Sequence, residues 1–187
     1  MTVLKLKQKT PPNNEPVSLG DVKKQLQIEI SDTLYDDQLN ALIPAAREWC
    51  ESYQNRAYIT QKLELALNEF PCSQMLRLPR PPLQTIDSVN YKNADGVSIA
   101  WSSTNYEADT YSEPGNLVCI TEWPQTNNAV NNVIVTYTAG YGDAQDDVPV
   151  TIKQAIILLV VHWFNNGLCD PPNAVYALLD LERVIPV

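Results

Sequence analysis

An unbroken apolar run, Ala155 to Val161, constrains the fold of this 187-residue chain more than any other stretch. Pro149 lies just before it and suits a first helical turn, where its missing N–H is not needed. Asp146 and Asp147 lie where the positive end of a helix dipole favours acids. The pattern predicts a helix that begins near Pro149 and ends near Asn166. Because this helix is apolar nearly all the way round, it must be covered on several sides.

A membrane span is the main alternative for so apolar a helix. Residues 151–166 make about 24 Å of helix, whereas the hydrocarbon core of a bilayer is about 30 Å thick. The segment is therefore too short, and we expect it to be buried within folded protein, with no membrane partner.

The formal net charge is −9, and it is unevenly distributed. Lys5, Lys7 and Lys9 have no acid among them, so residues 10–187 carry −12. Tight binding of nucleic acid depends largely on neutralising phosphates with Lys and Arg. An acidic body argues against such binding, although DNA can pass near it.

Residues 2–9, TVLKLKQK, partly alternate apolar and basic side chains as an edge strand does, and PPNNEP then breaks the pattern. We expect an extended N-terminal arm over residues 1–17. It is either a frayed terminus or a strand added to the sheet of a neighbouring subunit. In the second case Val3, Leu4 and Leu6 are candidates for the subunit interface.

Helical patterns follow the arm and return near the end of the chain. Ser18 with Asp21 three residues later predicts an N-cap and a short helix that ends near Gln27. The apolar stripe from Leu39 to Tyr53 predicts a second helix ending near residue 54. Pro44 inside that stripe predicts a kink or two shorter helices. Residues 173–184 predict a last helix.

Between residues 58 and 139 the periodicity becomes twofold, beginning with the alternation of Leu63, Leu65 and Leu67. Six or seven strands are expected, including two hairpins with turns at residues 93–96 and 113–115. Strands so close in sequence imply antiparallel pairing. The fold class is α+β, a small helical bundle with an inserted antiparallel β module. The expected ranges are an arm (1–17), a first helical part (18–56), the β module (57–142) and a second helical part (143–187).

Few residues of this sequence suggest catalysis or ligand binding. The chain contains no GxSxG, HExxH, glycine-rich phosphate loop or GxGxxG. Four cysteines without a CxxC, and a single histidine, His162, predict free thiols and no metal site, in a protein of a reducing compartment such as the cytoplasm. Asp143, Asp146 and Asp147 could hold a cation for a hydrolase, but helix capping explains them as well. Trp101 and Trp123 could stack on sugars, so a carbohydrate or host-surface binding module is the alternative function.

Four segments together resemble the phage head-to-tail connector, or neck adaptor, proteins. They are PVSLGDVKKQLQI, ALIPAAREWCESYQNRAYITQ, LPRPPLQTIDSVNY and VTYTAGYGDAQDDVPVTIKQAIILLVVHWFNN. The resemblance covers roughly residues 16–166 and is to the subgroup that has a β insertion before the long apolar helix. It implies a non-enzymatic structural protein without a cofactor, located in the virion neck.

The resemblance further implies a cyclic ring of twelve copies, placed between the portal protein and a stopper or tail-completion protein, through which DNA passes without specific binding. Such a ring would also account for a helix that is apolar on nearly every side, because neighbouring subunits can cover part of its surface. The candidates for that subunit contact are Ile156, Leu159, Val160 and Trp163. The C-terminal segment is expected to reach the portal or else to cap the helical core, and its portal-docking candidates are Leu181, Val184, Ile185 and Val187.

Overall fold

The computed structural model describes residues 5–127 and 129–185, and the chain divides into two compact units. We call them the β unit and the helical unit, after the elements they contain. The β unit is the chain up to Pro12 with Thr60–Gly140, and the helical unit is Asn13–Ile59 with Tyr141–Val187. The predicted arm, residues 1–17, is thus shared between the two units. The fold is α+β, a helical bundle with an antiparallel β insertion, as predicted.

The helical unit has four α-helices among the described residues. They are α1 (Leu19–Leu26), α2 (Asp36–Gln54), α3 (Val150–Asn166) and α4 (Asn173–Leu179). The predicted cap of α1 is confirmed: Asp21 N donates to Ser18 Oγ at 3.1 Å, and Ser18 N donates to the Asp21 carboxylate at 3.1 Å. These bonds to Ser18 hold the pKa of Asp21 below its usual value.

Helix α2 is one continuous helix with Pro44 inside it, so the prediction of two shorter helices is wrong. It ends at Gln54, as predicted, and Asn55 follows in the left-handed conformation at φ 57°. Asn tolerates that conformation better than most residues and commonly ends helices.

Helix α3 begins one residue after Pro149, whose carbonyl accepts bonds from the N–H groups of Ile152 and Lys153 at 3.1 Å each. Pro149 therefore precedes the first turn rather than lying within it. Helix α4 ends at Leu179 and a short 3₁₀ helix continues it over Asp180–Glu182, so the predicted helical segment stops two residues before Val184. There the backbone leaves the helix and bonds to the end of α2: Val184 N donates to Gln54 O at 2.9 Å.

The β unit has eight strands among the described residues, and all their pairings are antiparallel. They are β1 (Lys5–Thr10), β2 (Gln61–Leu67), β3 (Met75–Arg77), β4 (Leu83–Lys92), β5 (Ser98–Trp101), β6 (Tyr106–Asp109), β7 (Asn116–Cys119) and β8 (Val133–Ala139). One sheet has the order β1-β2-β8-β4-β5, and the other has the order β3-β7-β6. Both predicted hairpins, β4–β5 and β6–β7, are confirmed.

Strand β1 pairs with β2 of its own chain, with Lys5 opposite Ala66 and Lys7 opposite Glu64. One edge of β1 is therefore used within its own chain, and the prediction that the strand adds to a neighbouring subunit's sheet is wrong for that edge. Strand β2 offers an edge in the same chain, and Lys9 Nζ lies 3.5 Å from the Glu64 carboxylate. The other side of β1 forms an edge of the five-stranded sheet.

The alternation predicted for β2 is confirmed: Leu63, Leu65 and Leu67 are buried, opposite buried residues of the central strand β8. Tyr137 of β8 is fully buried, and its hydroxyl donates to Pro79 O at 2.6 Å. Burial raises the pKa of this phenol.

The two ends of the insertion meet within the helical unit. Tyr141 N donates to Tyr58 O at 2.8 Å, and Ile59 forms a parallel bridge with Gly142. A Cβ at Gly142 would lie 2.1 Å from an Asp147 carboxylate oxygen, so a side chain does not fit there without rearrangement.

Candidate functional site

The four α3 residues predicted to contact a neighbouring subunit lie in the core of their own chain. Ile156, Leu159 and Val160 have no exposed surface, and Trp163 is also buried. They form one cluster with residues of α1, α2 and α4, including Val22, Ile43 and Val175. The subunit-contact prediction is therefore wrong for these residues, because the helices of the same chain already cover this side of α3.

The outward side of α3 carries a different set of apolar residues. Val150 is exposed, and Ile157 and Val161 are half-buried. These three positions recur at intervals of seven and four residues, which places them on one stripe of the helix. Beside the stripe is a groove of about 450 Å³. Its lining includes Pro16, Val17, Asp21, Lys24, Val150 and Lys153.

Sequence reasoning missed this outward stripe because α3 is apolar on every side, and only the shape of the bundle decides which side faces out. Leu6 on β1 is the one candidate of the N-terminal arm within the described residues, and it is exposed. Val3 and Leu4 lie outside the described residues.

The C-terminal segment presents two exposed apolar side chains: Leu181 is 70 % exposed and Ile185 is 77 % exposed. Val184 is half-buried, and its carbonyl accepts a bond from Asn55 Nδ2 at 2.9 Å. Arg56 Nε donates to Glu182 O at 2.6 Å. The backbone of the segment is thus fixed to the end of α2 while Leu181 and Ile185 face outward. Val187 lies outside the described residues.

Aromatic and charged side chains reinforce this attachment. The Arg183 guanidinium lies 4.2 Å from the centre of the Tyr53 ring, and its Nε donates to Tyr53 O at 3.1 Å. Tyr53 also donates from its hydroxyl to the Asp180 carboxylate at 2.7 Å, which raises the pKa of this tyrosine. A cation held over an aromatic ring adds a modest attraction to these hydrogen bonds.

A buried amide, Gln54, anchors the start of the same segment. Its Nε2 donates to Leu179 O at 2.6 Å, and its Oε1 accepts from the Tyr58 hydroxyl at 2.6 Å. Gln54 and Tyr58 are both fully buried, and burial raises the pKa of Tyr58. Sequence patterns gave no sign of this anchor, since a glutamine at the end of a helix is usually solvated.

In the acidic turn before α3, Asp146 and Asp147 have separate partners and do not form a cation site. Asp147 accepts a bond from Ala144 N at 2.9 Å, as a capping residue does, and Asp146 is exposed at 3.7 Å from Lys153 Nζ. His162 Nε2 lies 3.1 Å from Cys169 Sγ on the surface. Within residues 5–127 and 129–185, no three His, Cys, Asp or Glu side chains are close enough to hold a metal ion. All four cysteines are free thiols.

The two tryptophans proposed as sugar-stacking platforms lie together in an aromatic cluster of the β unit. Trp101 is only 9 % exposed. Trp123 stacks on Phe70 with ring centres 4.7 Å apart, and its Nε1 donates to Ser73 O at 2.8 Å. The two tryptophan rings lie 5.3 Å apart in the same cluster. The prediction of a sugar-stacking platform is therefore wrong for Trp101, which is buried, whereas Trp123 is half-buried and one face of its ring is taken by Phe70.

Among the residues that the structure describes, no helix is long and apolar enough to cross a membrane. Three of the surfaces described above expose apolar side chains or an unpaired strand edge: the α3 stripe, the β1 edge and the C-terminal segment.

Comparison with known structures identifies one fold. A chain in the neck of an empty gene transfer agent (GTA) particle, computed with C6 symmetry, matches with a TM-score of 0.84 at 20 % identity, over 98 % of this chain and 97 % of that chain. A chain of the native GTA virion matches with a TM-score of 0.80 at 21 % identity, over 97 % and 96 %. A chain in the neck of the native particle, computed with C12 symmetry, matches with a TM-score of 0.74 at 22 % identity, over 98 % and 97 %.

A search of curated protein sequences gives no significant match. The family model described as head completion protein matches residues 17–170, which include all four segments that carried the sequence resemblance except Pro16. This match spans most of the chain and both of its units. The chain belongs to the head completion protein family.

Proposed function

We propose that this protein is a structural adaptor of the neck of a phage or phage-like particle. The observation that carries the proposal is the agreement between the family match over residues 17–170 and the likeness of the whole fold to chains from particle necks. In this role the protein forms a cyclic ring of twelve copies between the portal protein and the stopper or tail-completion protein. The C12 symmetry of one such neck supports the number twelve.

A ring needs two different patches on every subunit, each contacting the other patch on the next copy. The outward α3 stripe of Val150, Ile157 and Val161 supplies exposed apolar surface for one patch. The free edge of β1, with Leu6, supplies the other. Lys5, Lys7 and Lys9 on this edge favour acidic groups beside the apolar contact, such as Asp21 and Asp146 in the groove next to the stripe.

The C-terminal segment is the proposed contact with the portal. Its backbone is held by bonds to Gln54, Asn55 and Arg56, so Leu181 and Ile185 are presented in a fixed position. A few well-packed side chains at the centre of a contact supply most of the binding energy in protein interfaces, and side chains that are already held in place lose less entropy on binding.

Twelve copies at −9 each carry −108. In the proposed ring this charge repels the phosphates of DNA, so that DNA slides through the channel without adhering. The role is in assembly and in DNA passage and retention, without an enzymatic reaction.

The test is native mass spectrometry and electron microscopy of the purified protein mixed with the portal protein of the same particle. We expect a closed ring of twelve subunits on the portal. The portal must be present, because the free subunit can be a monomer before docking. A protein that remains monomeric and does not bind the portal would refute the proposal.

A further inference from the structure

The loop that joins α1 to α2, residues 28–35, has exposed apolar side chains on a fixed backbone. Ile30 is 64 % exposed and Leu34 is 74 % exposed. Neither belongs to the core cluster of the helical unit, and neither has a role in the contacts described above. We call this segment the α1–α2 loop.

A buried lysine holds the loop in its conformation. Lys23 of α1 is only 2 % exposed, and its ammonium group donates to Ile30 O at 3.2 Å and to Asp32 O at 2.7 Å. It also lies 2.5 Å from the Asp36 carboxylate. A lysine has three donors and no acceptor; two of them donate to backbone oxygens of the loop, and the positive charge is paired with Asp36 at the start of α2. Burying a charge is costly unless it is paired in this way.

Further bonds make the loop rigid at both ends. Leu34 N donates to the Asp32 carboxylate at 3.0 Å, and Ile28 N donates to Lys23 O at 3.0 Å. The ring of Tyr35 packs edge-on against Phe164 of α3, with ring centres 5.2 Å apart. The loop is therefore already ordered in the free subunit, and a partner that binds it avoids the entropic cost of ordering it.

The charge of the loop indicates the chemistry of its partner. Between residues 28 and 37 there are four acids and no basic residue; Asp36 is paired with Lys23, which leaves Glu29, Asp32 and Asp37 for a partner. A matching surface has an apolar pocket for two aliphatic side chains and a rim of Lys or Arg.

The position of the loop indicates which partner this is. The loop lies at the N-terminal end of α2, and the C-terminal segment is attached at the other end. Helix α2 has 19 residues, which separates the two by about 28 Å. An adaptor that links two partners needs contacts at opposite ends, and the proposed function assigns the C-terminal segment to the portal.

We propose that the α1–α2 loop is the docking element for the stopper or tail-completion protein. Ile30 and Leu34 insert into an apolar pocket of that protein, and the surrounding acids face basic side chains on its rim. Lys23 is the positioning residue that holds the loop ready. This inference rests on the proposed function.

The test uses the double variant Ile30→Ser, Leu34→Ser, with Val97→Ser, Ile120→Ser as its control, because those two are also exposed aliphatic residues. Each protein is first assembled on the portal protein and then titrated with the purified stopper protein of the same particle. We expect the loop variant to bind the stopper at least about tenfold more weakly than wild type. Its binding to the portal and its ring size should be unchanged, and the control should match wild type.

Stopper binding equal to that of wild type would overturn the inference, and so would a loss confined to portal binding or to ring formation. If the wild-type protein binds neither portal nor stopper, the proposed function itself has failed. A second variant, Lys23→Met, keeps both apolar side chains and removes the donors. It should weaken stopper binding while the circular dichroism of the helices is retained. If Lys23→Met does not fold, the Ile30, Leu34 pair still decides the question.

Discussion

Removing one oxygen atom from Tyr58 tests the buried anchor that fixes the C-terminal segment. The Tyr58 hydroxyl donates to Gln54 Oε1 at 2.6 Å, and both residues are fully buried. In Tyr58→Phe the amide oxygen loses this donor while the Gln54 amide nitrogen still bonds to Leu179 O. A buried polar atom left without a partner costs about 1–3 kcal/mol. We therefore expect the free energy of unfolding to fall by about that amount.

For a chain of this size, each 1 kcal/mol lowers the melting temperature by about 2–4 °C. The assay is urea unfolding followed by far-ultraviolet circular dichroism, which reports mainly on the helices. Tyr111→Phe is the matched control, because Tyr111 is 99 % exposed and its loss should change nothing measurable. A loss in Tyr58→Phe smaller than about 0.5 kcal/mol would show that the Gln54 oxygen is satisfied in another way and would refute the reasoning.

Three further predictions follow from burial and exposure. Leu159→Asp places an unpaired charge in a fully buried site, at a cost comparable to the stability of the whole domain, so size-exclusion chromatography should show no soluble folded protein. Burial raises the pKa of Tyr58 and Tyr137, so the folded chain holds these protons more tightly than the unfolded chain. This contribution to the free energy of unfolding is fully present below the ordinary tyrosine pKa of 10.0 and is lost as the pH rises above it. The urea midpoint should therefore fall beyond about pH 10, and it should fall less in Tyr137→Phe. Leu181→Ser, Ile185→Ser should melt like wild type, because both side chains are exposed, yet bind the portal about tenfold more weakly.

Local patterns predicted the elements of this fold well. The Ser18 cap, the alternation of Leu63, Leu65 and Leu67 and the two hairpins depend on residues close together in sequence, and each is present as predicted. The end of the last helix was misplaced by two residues because the chain near Val184 bonds to Gln54, Asn55 and Arg56 at the end of α2 and does not continue its own helix. No sequence window contains both partners of such a contact.

The surfaces were harder to predict than the elements. A helix that is apolar on all sides must be covered, but its sequence does not say whether its own chain or a neighbour covers it. Leu159 and Val160 proved to be covered by their own chain, while Val150 on the same helix is exposed. Trp101 was predicted to be a surface residue, but Phe70 and Trp123 pack against it in the folded chain. The three aromatic residues lie far apart in sequence, so local patterns do not reveal the contact.

The two ends of the β insertion lie side by side in the helical unit, and this limits the effect of changes in the length of the insertion. Tyr58 and Tyr141 are already joined by a hydrogen bond of 2.8 Å, so for the helical bundle everything between them is one closed loop. The entropy of closing a loop depends on the logarithm of its length, at about 0.6 kcal/mol for each doubling. Insertions and deletions in the loops between residues 60 and 140 therefore add little to the cost of closing this loop. Evolution and protein engineering can lengthen or shorten the loops of the β unit while the helices that carry the two proposed docking elements stay folded.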